Sequence, residues 1–326
     1  AGGVSVGSFF NKLAFTIRFM DVNILLSNFL QSESRIMFRR QIQERVQTLL
    51  PFLYPFYDSD PYLVISEGRL FWIQDCYTTT NMYPYSTRSG RAGINYIRNS
   101  VKAVIDAYNG TVTFYQADAE DPIVNAYGQM FPGMLKPISE MPADLRKHVR
   151  YPIDLFRTQA ARYRDYHMQE VQVFYNQEDL WEIPNEIYRD QAQMMEPYYI
   201  IIKLPGETRE EFLLMVPYTP AKKDNMIAWL AARCDGDNYG HLLVYKLPKD
   251  KLIYGPMQLE SRIDQQTEIS SQLTLWGQRG SEVIRGNLLA IPIESSFLYV
   301  EPIYLQARRE PDQQMMPAGQ EGEQRQ

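Results

Sequence analysis

The chain has 326 residues, a net charge of −6 and a hydrophobic fraction of 45%. This length can bury about three quarters of the unfolded surface, and the composition is that of an ordinary globular protein. The negative charge disfavours nucleic acid as a partner, because nucleic-acid binding needs a concentrated basic face. Two cysteines, Cys76 and Cys234, are too few for a disulfide framework or a multi-cysteine metal site, although one bridge between them could form in an oxidising compartment.

Residues 9–50 are predicted to be helical. Apolar residues recur every three or four positions from Phe10 to Leu25, which is the period of an amphipathic helix. A second predicted helix ends at Pro51; its apolar face carries Phe38, Ile42, Val46 and Leu49, and its outer face carries Arg35, Arg39, Arg40 and Arg45. Such a basic face is typical of a solvated helix or of one that rests on anionic lipid.

Two hairpins follow. Residues 62–66 and 69–73 are predicted strands joined by Glu67-Gly68, and both are apolar on both faces, so we expect this hairpin to be covered on both sides. Residues 101–108 and 111–116 form the second hairpin. Asn109-Gly110 between them predicts a two-residue type I′ turn, because these residue types accept positive φ angles. Asp121 and Pro122 then begin a helix.

The rest of the chain alternates in blocks. Pro152 opens a helix with Phe156, Ala160, Tyr163 and His167 along one side. The later predictions are strands at 198–204 and 212–216, a helix from Asp224 to Cys234, a strand at 241–247, a helical stretch at 258–276 and a final meander over 283–305.

Helices and hairpins therefore lie in separate blocks. This arrangement predicts an α+β fold with antiparallel hairpins or meander sheets and segregated amphipathic helices. We expect one domain over residues 1–307, with two lobes at 1–190 and 191–307, and a disordered tail at 308–326, where Gln, Glu, Pro and Gly replace the apolar pattern. The longest run without a charged residue, 122–135, is too short and too rich in Pro and Gly to span a bilayer.

The search for catalytic motifs finds none. The chain lacks the glycine-rich nucleotide loops, the paired-histidine zinc motif and the serine elbow of hydrolases. His148, His167 and His241 have no second ligand at a metal-binding spacing. The sequence therefore predicts no catalytic residue and no metal site from motifs.

One cluster of carboxylates is a candidate ligand-binding site. Asp58 and Asp60 precede the first hairpin, and Asp75, with Tyr77 beside it, ends the paired strand, so the register brings these residues to one end of the sheet. Carboxylates gathered beside an aromatic ring could hold Ca²⁺, or act as general acid and base on a sugar. The alternative is ordinary turn chemistry, since Asp and Ser bond to their own backbone in loops.

Several long segments resemble an uncharacterised bacterial family, number 0182. The similar segments cover nearly everything from Gly2 to about Ala307; the most specific are PFLYPFYDSDPYLV (51–64), WIQDCYTTTNMYPYS (72–86), and residues 96–115, 131–168, 195–206, 212–236 and 273–293. The resemblance implies a large multi-pass membrane protein whose spanning helices precede a soluble region on the outer side of the cytoplasmic membrane. It supplies no catalytic residues.

Two functions follow as hypotheses. The first is an extracytoplasmic module, not an enzyme, that binds an envelope component or a partner protein beside the upstream transmembrane helices. The 23 tyrosines and the absence of a catalytic motif favour it. The second is a carboxylate-dependent hydrolase of envelope polysaccharide that uses Asp58, Asp60 and Asp75. We expect no cofactor, unless the acidic cluster takes Ca²⁺.

Overall fold

The computed structural model describes residues 2–53, 57–89, 93–189, 191–248, 250–278, 280–293 and 296–307. The chain divides into two compact units, one made of Ala1–Gln159 and Arg233–His241 and the other of Ala160–Ala232 and Leu242–Gln326. Helices and mainly antiparallel strands make the fold α+β, as predicted. One domain with lobes divided at residue 190 stays a prediction, and the predicted tail at 308–326 lies outside the described residues.

The first unit is built on a five-stranded sheet. The described strands of this unit are β1 (Val4–Ser5), β2 (Arg35–Ile36), β3 (Tyr62–Ser66), β4 (Arg69–Thr80), β5 (Tyr96–Asp106), β6 (Val112–Gln116) and β7 (Leu135–Pro137). The strands β1 and β2 pair only with each other, and the other five form the sheet. Its helices are α1 (Phe9–Phe19), α2 (Asn23–Leu26), α3 (Ile42–Leu49), α4 (Pro122–Met130), α5 (Ala143–Arg146) and the start of α6 (Ile153–Tyr166). The sheet order is β3-β4-β5-β6-β7, in which β6 and β7 are parallel and the other pairs are antiparallel.

Both faces of the central part of this sheet are buried. One face packs under α3 and α4, with Val46, Ala103, Ile105, Phe114 and Val124 in a single apolar cluster. The opposite face forms a second cluster in which Val64, Ile73 and Val104 pack with Leu145 of α5. Residues 100–105 of β5 are all buried, because this strand is covered on both sides. Such a strand has mainly apolar residues at consecutive positions and no alternation.

The second unit has a sheet in the order β11-β12-β13-β14, with β8 paired to β12, and three strand pairs. Its strands are β8 (Trp181–Glu182), β9 (Asn185–Tyr188), β10 (Gln191–Met194), β11 (Tyr198–Lys203), β12 (Glu210–Pro220), β13 (Ala228–Arg233), β14 (Leu242–Lys246), β15 (Ser281–Arg285), β16 (Leu289–Ile293), β17 (Ser296–Val300) and β18 (Ile303–Ala307). Its further helices are α7 (Val171–Asn176), α8 (Pro256–Gln265) and α9 (Thr267–Trp276). The core includes Leu213, Met215, Trp229 and Ala231.

The predicted helix from Asp224 to Cys234 is wrong, because residues 228–233 form the strand β13. Five consecutive residues, 228–232, are buried, and they pair with β14. A short apolar run buried on both faces has no alternation, so its pattern cannot be distinguished from a buried helix. The C-terminal meander is also wrong: β15 pairs with β18 around an inner β16–β17 hairpin.

Both hairpins form, but each differs from its prediction in one respect. In the first, Leu63 and Ile65 are 44% and 65% exposed, so one face of the edge strand β3 is uncovered. In the second, the strands are joined by residues 107–110 and not by a two-residue type I′ turn. The Asp106 carboxylate accepts hydrogen bonds from the amides of Tyr108 and Asn109, which stabilises this longer loop, and only Gly110 takes a positive φ.

The predicted basic helix with four arginines is wrong as well. The helix α3 begins only at Ile42, so Arg35, Arg39 and Arg40 precede it. Of the four, only Arg45 lies on the helix, and its guanidinium donates to the carbonyls of Gly110 and Phe38. The helices at Pro122 and Ile153 are confirmed, and the Asp121 carboxylate caps α4 by accepting the Ile123 amide.

Substitution of two glycines by alanine should have opposite effects on stability, because the space around them differs. Gly255 has an extended backbone, but a Cβ there would collide with the Asp224 carbonyl oxygen, whereas the nearest neighbour of a Cβ at Gly128 in α4 is Leu135 at 3.9 Å. We expect Gly255→Ala to lower the free energy of unfolding by about 1–3 kcal/mol. Gly128→Ala should raise it by about 0.5–1 kcal/mol, because alanine favours helix. Urea unfolding of both variants checks this, and equal effects of the same sign would contradict it.

Candidate functional site

The hairpin register places the first predicted site residues side by side. The Asp58 amide donates to the Asp75 carbonyl at 3.0 Å, and Tyr57 forms an isolated antiparallel bridge with Cys76. The segment before β3 therefore continues along β4. Asp58 and Asp75 are 2% and 1% exposed, so both carboxyl groups lie in the interior.

Asp58 and Tyr77 together hold the start of α6. The Tyr77 hydroxyl donates to Oδ2 of Asp58, which also accepts the Asp154 amide at 2.9 Å, and Oδ1 accepts the Asp60 amide at 3.0 Å. The Leu155 amide in turn donates to the Tyr77 hydroxyl oxygen at 3.3 Å. These bonds satisfy amides of the first helical turn, which have no partners within the helix.

The interior position alters the acidity of both groups. Burial raises the pKa of Asp58 to about 6, although the hydrogen bonds from Tyr77 and from the Asp154 amide favour the charged form. Burial, together with the negative charge of Asp58, raises the pKa of Tyr77 far above its ordinary value. Tyr77 is therefore a hydrogen-bond donor at all physiological pH values.

Asp75 forms a buried ion pair with Lys102. The two residues are direct partners across β4 and β5, and each is 1% exposed. The Lys102 Nζ also donates to Asn99 Oδ1 at 2.9 Å and to the Arg150 carbonyl at 3.5 Å. Burial lowers the pKa of Lys102, but the charge of Asp75 and its hydrogen bond, together with Tyr62 and Asp58, outweigh this effect, and the pKa lies above the ordinary value.

Asp60 lies apart from this interior pair, at the surface. Its carboxylate is 3.8 Å from the Arg150 guanidinium, and its side chain is 46% exposed. The Arg150 guanidinium lies 4.5 Å from the centre of the Tyr62 ring. The structure thus brings Asp58, Asp75 and Tyr77 together inside the first unit and leaves Asp60 outside.

A cavity of about 390 Å³ in the first unit opens beside Lys102. Its polar and charged lining comprises Lys102, Arg146, Lys147, Cys234, Asp237 and Tyr239. The segment that carries the last three is closed at its base by hydrogen bonds between Arg233 and both Gly240 and His241. This volume lies in the range of small-molecule sites.

Tyr239 connects the cavity to the buried ion pair. The Lys102 Nζ lies 5.3 Å from the centre of the Tyr239 ring, and the Tyr239 hydroxyl donates to the Arg150 carbonyl at 3.2 Å. Burial raises the pKa of Tyr239, so the hydroxyl stays neutral. Sequence reasoning missed this cavity, and the available signal was Lys102, a charged residue inside the otherwise apolar stretch of β5.

The two cysteines are both buried, and the bridge that could join them does not form. The Cys234 Sγ accepts the Tyr151 amide at 3.4 Å, and burial raises the pKa of Cys76. Across the described ranges, no group of three or more His, Cys, Asp or Glu is arranged to hold a metal ion. Calcium binding at the acidic cluster stays a prediction, as does its use as a hydrolase site, which would need carboxyl groups that face a substrate.

Comparison with known proteins identifies the family. The model of an uncharacterised protein family, UPF0182, matches residues 1–276. The chain belongs to this family. It is 58% identical over 311 residues to a UPF0182 protein of Sulfurovum sp. (strain NBC37-1), a match that covers 94% of this chain and 34% of the relative.

Other members of UPF0182 are nearly as similar. The relative from Pelotomaculum thermopropionicum is 55% identical over 308 residues, covering 94% of this chain and 33% of that protein. The one from Bradyrhizobium diazoefficiens is 55% identical over 307 residues, with the same coverage. The chain spans about a third of the length of these relatives. No solved structure matches it, and within the part of the chain that is described no helix has the length and apolar character to cross a membrane.

The buried ion pair generates a stability prediction. Lys102→Met leaves the Asp75 carboxylate buried without its counter-ion, so we expect the free energy of unfolding to fall by about 3–5 kcal/mol. The double variant Asp75→Asn with Lys102→Met carries no buried charge at these positions. Its free energy of unfolding should therefore fall by less than that of Lys102→Met alone. Urea midpoints at equal slope measure both, and a double variant no more stable than the single one would contradict the interpretation.

The Asp58 carboxyl group makes stability depend on pH. Its pKa is about 6 in the folded chain and near 3.8 when unfolded, so its stabilising contribution is complete below pH 3.8 and is lost as the pH rises through 6. As the pH rises from 4 to 6.5, the free energy of unfolding of the wild-type chain should therefore fall by about 1–3 kcal/mol relative to that of Asp58→Asn, whose side chain does not titrate. Unfolding free energies of both proteins across this range give the difference, and a pH-independent difference would refute it.

Proposed function

We propose that the chain is an extracytoplasmic binding module whose cavity takes a small anionic component of the bacterial cell envelope. The observation that carries this proposal is the basic lining of the cavity in a chain of net charge −6. A local positive site on a protein of negative net charge favours anions at that position.

The lining residues have distinct roles in this proposal. Lys102 is neutralised by Asp75, and its ammonium group already donates to Asp75, Asn99 and the Arg150 carbonyl, so it adds no free charge to the lining. Arg146 and Lys147 are exposed and would supply the positive charge that a phosphate or carboxylate group needs, although the Lys147 Nζ also lies 3.8 Å from the Asp144 carboxylate. Asp237, with the apolar Ile138 and Val149, would face the uncharged part of the ligand.

The membrane setting is part of the proposal and comes from the family. The matched segment is about a third of each relative, and the resemblance expects spanning helices upstream of it. Those helices would then be partners of this segment within one polypeptide. Placement on the outer side would expose the cavity to envelope components.

Isothermal titration of the 326-residue chain tests the cavity, with inorganic phosphate, glycerol 3-phosphate and glucuronate as probes. We expect at least one probe to bind, and the double variant Arg146→Gln, Lys147→Gln to bind it at least about tenfold more weakly, because two charge-assisted contacts are lost. The matched control is Lys203→Gln, Arg209→Gln, which removes two exposed charges that do not line the cavity. The proposal would be overturned if no probe binds at millimolar concentration, or if the control variant loses as much affinity as the variant of Arg146 and Lys147.

A further inference from the structure

The helix α1 presents its apolar side outward. None of its residues is buried, and Phe9, Phe10 and Ile17 are 63%, 79% and 69% exposed. At 100° per residue, Phe9, Phe10, Leu13, Ala14 and Ile17 share an arc of about 140°. A surface helix of a globular protein normally turns such an arc toward the core, so the orientation of α1 is reversed.

The opposite side of α1 is the one that packs on the chain. The Phe15 ring lies 5.8 Å from the Phe38 ring, and the Phe19 ring lies 6.0 Å from it. The Lys12 Nζ donates to the Leu30 carbonyl at 2.9 Å. These contacts fix the rotation of the helix and keep the apolar arc at the surface.

The exposed apolar surface continues beyond the helix. Met20 and Phe29 are each 93% exposed, and Val22 and Leu26 are 58% and 71% exposed. These seven large apolar side chains, exposed within 21 residues, are a concentration that points to an interaction surface. We call residues 9–29 the N-terminal apolar face.

The segment that carries this face is basic. Residues 2–49 contain six Lys or Arg and three Asp or Glu, a net charge of +3, whereas the whole chain carries −6. Arg18 flanks the apolar arc, and Arg35 and Arg40 are exposed in the segment that follows. Aromatic and aliphatic side chains bordered by arginine and lysine match the interface of an anionic bilayer.

We propose that the N-terminal apolar face docks on the surface of an anionic phospholipid bilayer. The positive charge decides against a second copy of the same face, because two such surfaces would repel each other, while lipid phosphates attract them. The helix has 11 residues and is therefore about 16 Å long, so it lies along the interface and does not span a core of about 30 Å. This docking is independent of the ligand proposed for the cavity.

Vesicle flotation of the 326-residue chain tests the docking. The chain should float with phosphatidylcholine vesicles that contain about one third phosphatidylglycerol, and much less with pure phosphatidylcholine, because headgroup charge contributes to binding. Phe10→Ser with Ile17→Ser should weaken the partition at least about tenfold. Both side chains are already exposed, so the fold should persist, and circular dichroism checks this.

Two control variants separate the apolar and charge contributions. Val171→Ser with Tyr175→Ser removes two side chains of α7 that are 84% and 85% exposed, and it should not change the partition. Arg18→Gln with Arg40→Gln should weaken binding to the anionic vesicles about tenfold. The proposal is overturned if the chain does not float with the anionic vesicles, or if the α7 variant loses as much of its vesicle binding as the α1 variant. It is also overturned if gel filtration shows a dimer that Phe10→Ser with Ile17→Ser abolishes.

Discussion

The pairing of β4 with β5 is the constraint on which the first unit depends. These are its two longest strands, and their cross-strand partners include the buried pair Asp75 and Lys102. A slip of one residue would turn every side chain to the opposite face, and would place both charges in an apolar environment without partners. The ion pair therefore specifies the register, and the register in turn places Asp58 and Tyr77 at the start of α6.

Local sequence signals predicted those elements whose chemistry is itself local. The hairpin at Glu67-Gly68, the cap at Asp121 and the helix after Pro152 are each determined by a few neighbouring residues, and all three are present. The strand β13 was missed because residues buried on both faces lose the alternation that identifies a strand. The type I′ turn predicted at Asn109-Gly110 does not form, because the Asp106 side chain stabilises a longer loop.

The candidate site likewise depends on contacts between residues that are distant in the sequence, which local patterns do not reveal. Sequence adjacency drew attention to Asp58, Asp60 and Asp75, and the structure uses the two buried carboxylates to cap a helix and to neutralise a lysine. The cavity draws its lining from three separate segments, residues 102–117, 138–149 and 234–239. No spacing in the sequence links these segments, because only the tertiary fold brings them together. A buried lysine in an apolar strand was the one local sign that a polar site lay nearby.

Charge is distributed unevenly along the chain, and this has a physical consequence. The first 49 residues carry +3, so the remaining residues together carry −9. Near an anionic surface the basic segment is attracted over a distance of about one Debye length, while the acidic remainder is repelled. The exposed phenylalanines can make contact only at short range, where electrostatic attraction alone would be weak and sensitive to salt. Attraction by charge and attachment by apolar burial therefore act over different distances and are complementary parts of one interaction.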